Sequence, residues 1–437
     1  MLGPRATPAG TAAGTGSGGP PYTAGEATRA VGTVLADHLA ARLREAGQLD
    51  AVFAEEVAAR VAGFVLDGGK RLRTAFVWCG WLAAGGTGDP ATPLRVAAAL
   101  ELLQGCALMH DDVMDGSPVR RGAPAVHEDF ARVHRAAGMG GRAADFSATA
   151  AVLAGDLALV WADDLLTGTA LGTPHGGVLH QEWQAMRGEM VAGQYLDMRA
   201  QATGSCDPGQ ALNIATLKSA LYTVERPLAL GASLAGARPR TMGALRSAGR
   251  CAGVAFQLRD DLLGAFGDPA VTGKPADEDL RGRKPTYLLA VGLRRAAESG
   301  DAESLDALGP EGTASGPDRA DRMRAALERT GARAEVEDEI AELAAAGLRH
   351  FADSGADEPA RREFAALVTG ALGTEPARTG GDRGDGGDGR GARERREAGG
   401  RAGIDDAREF SGIPETKETR EVRQIREIAE IRDEEDA

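Results

Sequence analysis

The segment MHDDVMD, residues 109–115, contains three aspartates and one histidine within seven residues. If this segment is helical, Asp111 and Asp115 lie four residues apart and project from the same face, whereas Asp112 points about 100° further round the helix. Two carboxylates on one face suit Mg²⁺, a hard cation that takes oxygen ligands and completes its shell with water or phosphate. The apolar segment ALELLQGCALMH, which runs into the acids, indicates a buried helix that opens onto a cavity. The spacing therefore predicts a site for divalent cations rather than an exposed acidic turn.

Basic residues that could bind phosphate lie near these acids in the sequence. Arg120 and Arg121 follow in SPVRRG, and guanidinium groups match phosphate oxygens bidentately. A second acidic pair, Asp260 and Asp261, ends the apolar segment CAGVAFQL, and lysines occur in DGGKRLR, LKSA, TGKP and GRKPT. Acids that bind Mg²⁺ together with bases that bind phosphate describe a diphosphate site. The chain lacks GxxxxGK[ST], which argues against P-loop nucleotide chemistry.

Composition narrows the class of protein further. The net charge of −14 argues against a nucleic-acid surface, because a phosphate backbone favours basic stripes. The four cysteines show no CxxC spacing, so we expect neither a disulfide framework nor a zinc site, and a cytoplasmic location is the simplest setting. The N-terminal residues have no apolar signal core, and no uninterrupted apolar run reaches roughly 18 residues. We therefore expect no stable membrane insertion.

The chain divides into three zones by composition. Residues 1–25 are rich in Gly, Ala, Pro and Thr and are predicted to be a disordered arm. Residues 26–372 place large apolar side chains three and four apart, which predicts an all-α domain of about ten or more helices without any strand-turn-strand signal. Residues 373–437 read as a flexible linker and a charged tail.

Five motifs in order resemble the polyprenyl synthetase family, the trans-isoprenyl diphosphate synthases, over residues of about 26–370. They are GGKRLR, DDVMD followed by RRG, GQYLD, the Lys-Ser pair of LKSA, and FQLRDD. Each motif is modest alone, but the ordered set is highly specific. The resemblance implies a barrel-like bundle of helices around a deep apolar cavity, usually as a homodimer. Within the family the chain is most similar to geranylgeranyl diphosphate synthases.

The resemblance also implies Mg²⁺ as the cofactor, with three ions per site. Asp111 and Asp115 would bind the ions that bridge to an allylic diphosphate, and Asp260 would hold a third ion from the opposite wall. Gly264 is a departure from the family pattern, because a complete second motif has Asp at this position, four residues after Asp260. Two acids could compensate for its absence, namely Asp261 and Asp268. Of these two, Asp261 is counted among the metal ligands.

The resemblance assigns the other residues to the two substrates. The allylic diphosphate would be held by Arg120, Lys218, Lys274 and Lys284. Isopentenyl diphosphate would be held by Lys70, Arg73 and Arg121, with Gln104 where relatives carry His or Gln. The polar side chains near the allylic cation would be Gln194, Gln257 and Ser219, the last where many relatives have Thr. The residues assigned to catalysis are Asp111, Asp115, Arg120, Lys218, Ser219, Gln257 and Lys274.

The implied reaction is the head-to-tail condensation of isopentenyl diphosphate with an allylic diphosphate, which forms a trans-polyprenyl diphosphate and releases diphosphate. Cys106 and Ala107 lie five and four residues before Asp111. In the family that the chain resembles, members that make farnesyl-length products carry aromatic rings at these two positions. Their small side chains predict a product tube that continues to the level of Leu103 and Leu100. We therefore expect geranylgeranyl diphosphate, C20, with farnesyl or longer polyprenyl products as the alternatives.

Three other classes of protein remain as alternatives. His110 and Asp111 could form the metal pair of an HD-type phosphohydrolase, but that chemistry needs further metal-binding His upstream, and His38 lies in an ordinary amphipathic stretch. A class I terpene cyclase shares DDxxD, but its partner motif is absent. A non-catalytic regulatory subunit tends to lose the first DDxxD, which is intact here.

Overall fold

Helices make up almost all of the described chain, which comprises residues 23–267, 278–309 and 319–373 of the computed structural model. The first half contains α1 Ala24–Leu49, α2 Ala51–Phe53, α3 Ala59–Leu66, α4 Leu72–Ala83, α5 Ala91–Asp115, α6 Val126–Ala136 and α7 Ala143–Leu171. The second half contains α8 Gly176–Thr203, α9 Pro208–Ala215, α10 Arg226–Leu234, α11 Pro239–Phe266, α12 Glu278–Arg281, α13 Tyr287–Ser299, α14 Ala302–Leu308, α15 Arg319–Arg329, α16 Ala332–Asp353 and α17 Glu358–Leu372. Two π-helical segments continue directly into α-helices, namely π1 Ala54–Ala58 and π2 Thr216–Glu225. The prediction of an all-α domain with ten or more helices is confirmed.

The start of α1 shows how local sequence sets a helix boundary. Thr23 accepts a hydrogen bond from the backbone N–H of Glu26, whose side chain accepts one from the Thr23 N–H, and together they form a capping box. The helix therefore begins at Ala24, inside the segment predicted as a disordered arm, of which residues 1–22 lie outside the described residues. Val31, Leu35 and Leu39 follow at four-residue spacing and are fully buried.

Two apolar cores hold the bundle together. The first lies among α1, α3, α4, α5, α7 and α8, and the second among α4, α10, α11 and the helices from α13 to α17. Helix α5 packs along α7, while α11 packs along both α16 and π2. The ends of α5 and α11, which carry the two acidic pairs, are thus each fixed by a long neighbouring helix.

A short hairpin interrupts the helical pattern just after α5. Strands β1 Val119–Arg120 and β2 Ala123–Pro124 pair antiparallel across Arg121 and Gly122, whose φ angles of 55° and 75° are both left-handed. A two-residue turn with two positive φ angles suits the twist of a hairpin. The sequence carries no strand-turn-strand signal here, because two-residue strands are too short to show apolar alternation.

Helix α7 has an unusual surface for a helix of a bundle. It is long and apolar enough to cross a membrane, and 28% of its most apolar stretch is buried. One side packs on α5, while Val152, Leu153 and Val160 are exposed. Core helices of bundles pass the same test of length and composition, so the expectation of no membrane insertion stays a prediction.

Two further predictions fall on residues that the structure does not describe. The linker and tail lie outside the described residues from 374 onwards, as do Asp268 and Lys274, which belong to the segment between α11 and α12.

Candidate active site

The first acidic cluster occupies the last turn of α5. The helix ends at Asp115, where Gly116 adopts the left-handed conformation with φ 63° that commonly caps a helix. Asp112 is buried, Asp111 is half-buried and Asp115 is exposed. The C-terminal end of a helix carries partial negative charge, so three carboxylates here repel both the helix end and one another. A cationic partner is needed to stabilise them.

Arg120 is the first such partner, and the hairpin places it. Its Nε donates to Asp112 Oδ1 at 2.7 Å, and its Nη2 donates to both Asp112 Oδ1 and Asp111 Oδ2, the latter at 3.3 Å. Burial lowers the pKa of Arg120, but its hydrogen bonds and charge interactions with these two aspartates outweigh that effect and raise it. Arg120 is therefore a fixed cation at the edge of the acidic cluster.

The negative charge of the cluster that Arg120 does not offset lies at Asp115. Burial, and then the charge of Asp111, raise the pKa of Asp115, while the charges of Lys284 and Lys218 oppose the rise. Burial also raises the pKa of Asp112, against its contacts with Arg120. A carboxylate kept close to another by the fold, with its pKa raised, is suited to binding a further cation.

Lys218 on π2 faces the acidic cluster from across the site. Its Nζ donates to Asp111 Oδ1 at 3.3 Å and to Asp197 Oδ2 at 2.6 Å. Asp197 is buried on α8, where Gln201 Nε2 also donates to its Oδ1 at 3.2 Å. Burial would raise the pKa of Asp197, but the charges of Lys218 and Lys284 outweigh it and lower the pKa. The site thus joins α5, α8 and π2 through one ammonium group.

Asp197 was not among the residues predicted for the site, although GQYLD was recognised as a motif. The glycine of that motif explains the geometry. A Cβ on Gly193 would lie 2.3 Å from the backbone N of Lys218, and one on Gly253 of α11 would lie 2.4 Å from the Ala220 carbonyl oxygen. Only glycine permits these approaches, which pack π2 between α8 and α11.

The second acidic pair lies near the end of α11. Gln257 Nε2 donates to Asp261 Oδ1 at 2.8 Å, so the two side chains share one face of the helix. A small cavity beside them is lined by Asp261 and Lys284, among other residues. Lys284 thus lines a cavity with Asp261, and its charge also opposes the rise in the pKa of Asp115. Gly264 is helical and one turn beyond Asp260, as the sequence predicts.

The basic residues predicted for a second diphosphate gather where α3, α4, π2 and the hairpin meet. Arg73 Nη2 donates to Thr223 Oγ1 at 3.0 Å, and its guanidinium carbon lies 4.0 Å from the ring centre of Tyr222. Arg121 stacks 5.3 Å from the ring centre of Phe64. Lys70, which precedes α4, is exposed.

A buried carboxylate accompanies this basic cluster. Glu101 on α5 accepts a hydrogen bond from Thr74 Oγ1 at 3.0 Å. Burial raises the pKa of Glu101, and the charges of Arg73, Arg71 and Arg121 oppose the rise. One turn along α5, the buried Oε1 of Gln104 has no hydrogen-bond partner among the described residues, so this oxygen is free to accept one.

The other predicted residues are placed less directly. Gln194 Nε2 lies 3.4 Å from Met114 Sδ, which puts its amide beside the end of α5, and Ser219 is half-buried next to Lys218. The residues predicted to set product length share the upstream turns of α5. Leu103 and Cys106 are buried, and Ala107 is half-buried.

His110 faces away from the acids and packs against α7. Its Nε2–H donates to the Val152 carbonyl oxygen at 3.0 Å, and Cys106 Sγ lies 3.8 Å from its Nδ1. Both ring nitrogens thus have partners on α5 and α7. This arrangement favours a packing role over the ligand role that a phosphohydrolase would require.

Comparisons with known proteins agree with the motifs. Residues 55–323 match the family described as Polyprenyl synthetase. The geranylfarnesyl diphosphate synthase of Aeropyrum pernix is 33% identical over 253 residues, which span 56% of this chain and 71% of that protein. The geranylgeranyl diphosphate synthase of Mycobacterium tuberculosis is 35% identical over 240 residues, which span 53% of this chain and 60% of that protein.

A solved structure shares the fold over a longer stretch. The geranylgeranyl pyrophosphate synthase from Corynebacterium glutamicum, complexed with isoprenyl diphosphate and magnesium, superposes with a TM-score of 0.73 and 38% sequence identity. The superposition covers 78% of this chain and 98% of that chain.

Proposed function

Because the chain belongs to the polyprenyl synthetase family and is therefore a prenyltransferase, we propose that it condenses isopentenyl diphosphate with an allylic diphosphate. The observation that carries the proposal is the meeting of Asp111, Arg120 and Lys218 from three separate elements. Fixed cations beside paired carboxylates provide both halves of a site for a metal-bound diphosphate. The similarity to geranylgeranyl and geranylfarnesyl diphosphate synthases supports the same reaction.

The donor set fits Mg²⁺ as the cofactor. Asp111 and Asp115 would hold ions from α5, and Asp260 would hold a third from α11. Among the described residues no group of three or more His, Cys, Asp or Glu side chains is arranged to hold a metal ion. The aspartates at the ends of α5 and α11 suit Mg²⁺ by their chemistry, because this ion is commonly bound through one or two carboxylates and takes its other ligands from phosphate and water. When bound, Mg²⁺ supplies Lewis-acid stabilisation of the leaving diphosphate.

The chain's own residues divide the remaining work. Arg120, Lys218, Lys274 and Lys284 bind the allylic diphosphate, and their charge stabilises the leaving group as the allylic C–O bond breaks. The electron pair of that bond leaves with the diphosphate, and polar oxygens of Gln194, Gln257 and Ser219 stabilise the cation. Isopentenyl diphosphate is held by Lys70, Arg73, Arg121 and Gln104. Its alkene attacks the cation, and the proton then lost passes to the released diphosphate.

We also propose geranylgeranyl diphosphate, C20, as the product. Cys106 and Ala107 offer no aromatic floor one to two turns below Asp111, whereas Leu103 and Leu100 further along α5 are fully buried and bulky. Farnesyl and longer polyprenyl diphosphates are the alternatives, in line with the range of products named among the relatives.

An assay with radiolabelled isopentenyl diphosphate and each allylic starter from C5 to C15 tests the proposal. The purified chain alone should incorporate label into a lipid of C20. Phosphate release without condensation would instead support a phosphohydrolase. Absence of condensation that is restored only by adding a second protein would support a regulatory subunit.

We propose that the enzyme is a cytoplasmic homodimer that buries the apolar face of α7. Leu153 and Val160 are 58% and 52% exposed and lie two helical turns apart, so a second copy could cover both. Glu at these two positions should yield monomers in sedimentation analysis. Leu348→Glu, on α16 of the other apolar core, is the matched control and should leave the association state unchanged.

A further inference from the structure

The segment π2 contacts residues of both proposed diphosphate sites. Lys218 near its start lies between Asp111 and Asp197, at the site assigned to the allylic diphosphate. Thr223 near its end accepts a hydrogen bond from Arg73, which is assigned to isopentenyl diphosphate. One short element therefore carries a lysine assigned to one diphosphate and contacts an arginine assigned to the other.

The π-helical form of this segment matters for that double contact. Lys218 and Thr223 are five residues apart, and i→i+5 hydrogen bonds place such residues one turn above each other. In a regular α-helix the same two side chains would point about 140° apart. The wider turn therefore lets one face of the segment serve both sites.

Arg73 has a buried carboxylate in its neighbourhood as well as the two residues of π2. It is a long, half-buried side chain, and fixing a side chain of this kind costs up to about 2 kcal/mol of conformational entropy. The buried carboxylate of Glu101 lies close enough for the charge of Arg73 to act on it. The stack on Tyr222 and the bond to Thr223 hold the guanidinium towards π2 instead.

We propose that π2 serves both substrate sites, with Tyr222 and Thr223 as positioning residues that hold Arg73 for isopentenyl diphosphate while Lys218 serves the allylic diphosphate. This inference rests on the proposed function, since it takes the role of Arg73 from there. It adds two residues of π2 that act through Arg73.

Conservative pairs of variants in the full-length enzyme test the proposal. Thr223→Val keeps the shape of the side chain but removes the acceptor, and it should raise KM for isopentenyl diphosphate by about fivefold. Thr223→Ser keeps the acceptor and should restore the wild-type value. Tyr222→Leu should raise the same KM by about tenfold through loss of the stack, while Tyr222→Phe keeps the ring and should not.

The second readouts separate positioning from a general structural role. KM for the allylic substrate and the unfolding temperature should be unchanged in Thr223→Val, and calorimetric titration should show isopentenyl diphosphate binding weakened in step with KM. Equal increases in both KM values, or a lower unfolding temperature that explains the loss, would overturn the proposal.

Arg73→Ala separates failure of the inference from failure of the proposed function. An increase in KM for isopentenyl diphosphate in Arg73→Ala, with none in Thr223→Val or Tyr222→Leu, would overturn the positioning role alone. An unchanged KM in Arg73→Ala would remove the role of Arg73 itself, and with it the positioning role of Tyr222 and Thr223.

Discussion

Three neighbouring aspartates at the end of α5 have different tasks, and their angular positions on the helix explain the difference. Asp112 turns inward, is buried and is bound by Arg120. Asp111 and Asp115 share the face that looks across the site towards Lys218 and Lys284. The sequence spacing alone predicted this division, because a helix separates neighbours by about 100° and brings residues four apart together.

The pair on the shared face should dominate catalysis. We expect Asp111→Ala or Asp115→Ala to lower turnover about a thousandfold, a loss of ~4 kcal/mol of transition-state stabilisation, since each removes a metal ligand. Steady-state turnover at saturating Mg²⁺ measures the effect, with Asp353→Ala at an exposed position of α16 as the control. Retention of more than about a tenth of wild-type turnover by either variant would contradict the ligand assignment.

At the level of elements, apolar periodicity predicted the helices, but their mutual packing was beyond its reach. The ion pair of Lys218 with Asp197 depends on π2 lying against α8, and nothing in either segment's own periodicity brings them together. The π-helical form of π2 was also not predicted from the sequence. The sequence identifies GQYLD and LKSA as family motifs, but only the structure shows that they contact each other.

The close approach of α8 to π2 gives a direct test at this scale. Gly193→Ala puts a Cβ 2.3 Å from the Lys218 backbone N, and we expect it to lower the free energy of unfolding by about 1–3 kcal/mol and to reduce turnover. Gly188→Ala on the same helix meets nothing within 4 Å, and it should instead stabilise by about 0.5–1 kcal/mol. Denaturant unfolding of both variants measures the difference. Equal stability of the two would show that π2 does not depend on this contact.

Product length is also a property of one helix. Cys106 and Ala107 lie about 6–7.5 Å below Asp111 along α5 at the helical rise. Phe at both positions should fill the product tube and shift the product from C20 to C15, which chromatography of the dephosphorylated products will show. Leu171→Phe, at a position of α7 that is 85% exposed, adds a ring without filling the tube and should leave the product unchanged. An unaltered product in the active double variant would place the floor on another helix.

At the scale of the whole chain, α17 is the last helix of the described domain and packs into its core. Phe364 of that helix is fully buried and stacks on Phe351 of α16 with ring centres 4.1 Å apart. The helix ends in a left-handed glycine, Gly373, with φ 68°. The residues from 374 onwards lie outside the described part of the chain, and their composition is that of a linker and charged tail, poor in large apolar residues.

Removal of residues 375–437 should therefore leave condensation and the unfolding temperature almost unchanged, because every buried side chain of α17 is retained. A longer deletion that starts at residue 358 is the matched control. It removes Phe364 from the core, and loss of a buried Phe side chain alone typically costs about 3–5 kcal/mol, so this variant should unfold or aggregate. Condensation assays and thermal unfolding of both truncated proteins measure the contrast. A collapse of activity in the shorter deletion, with its unfolding temperature intact, would show that the tail acts on the site.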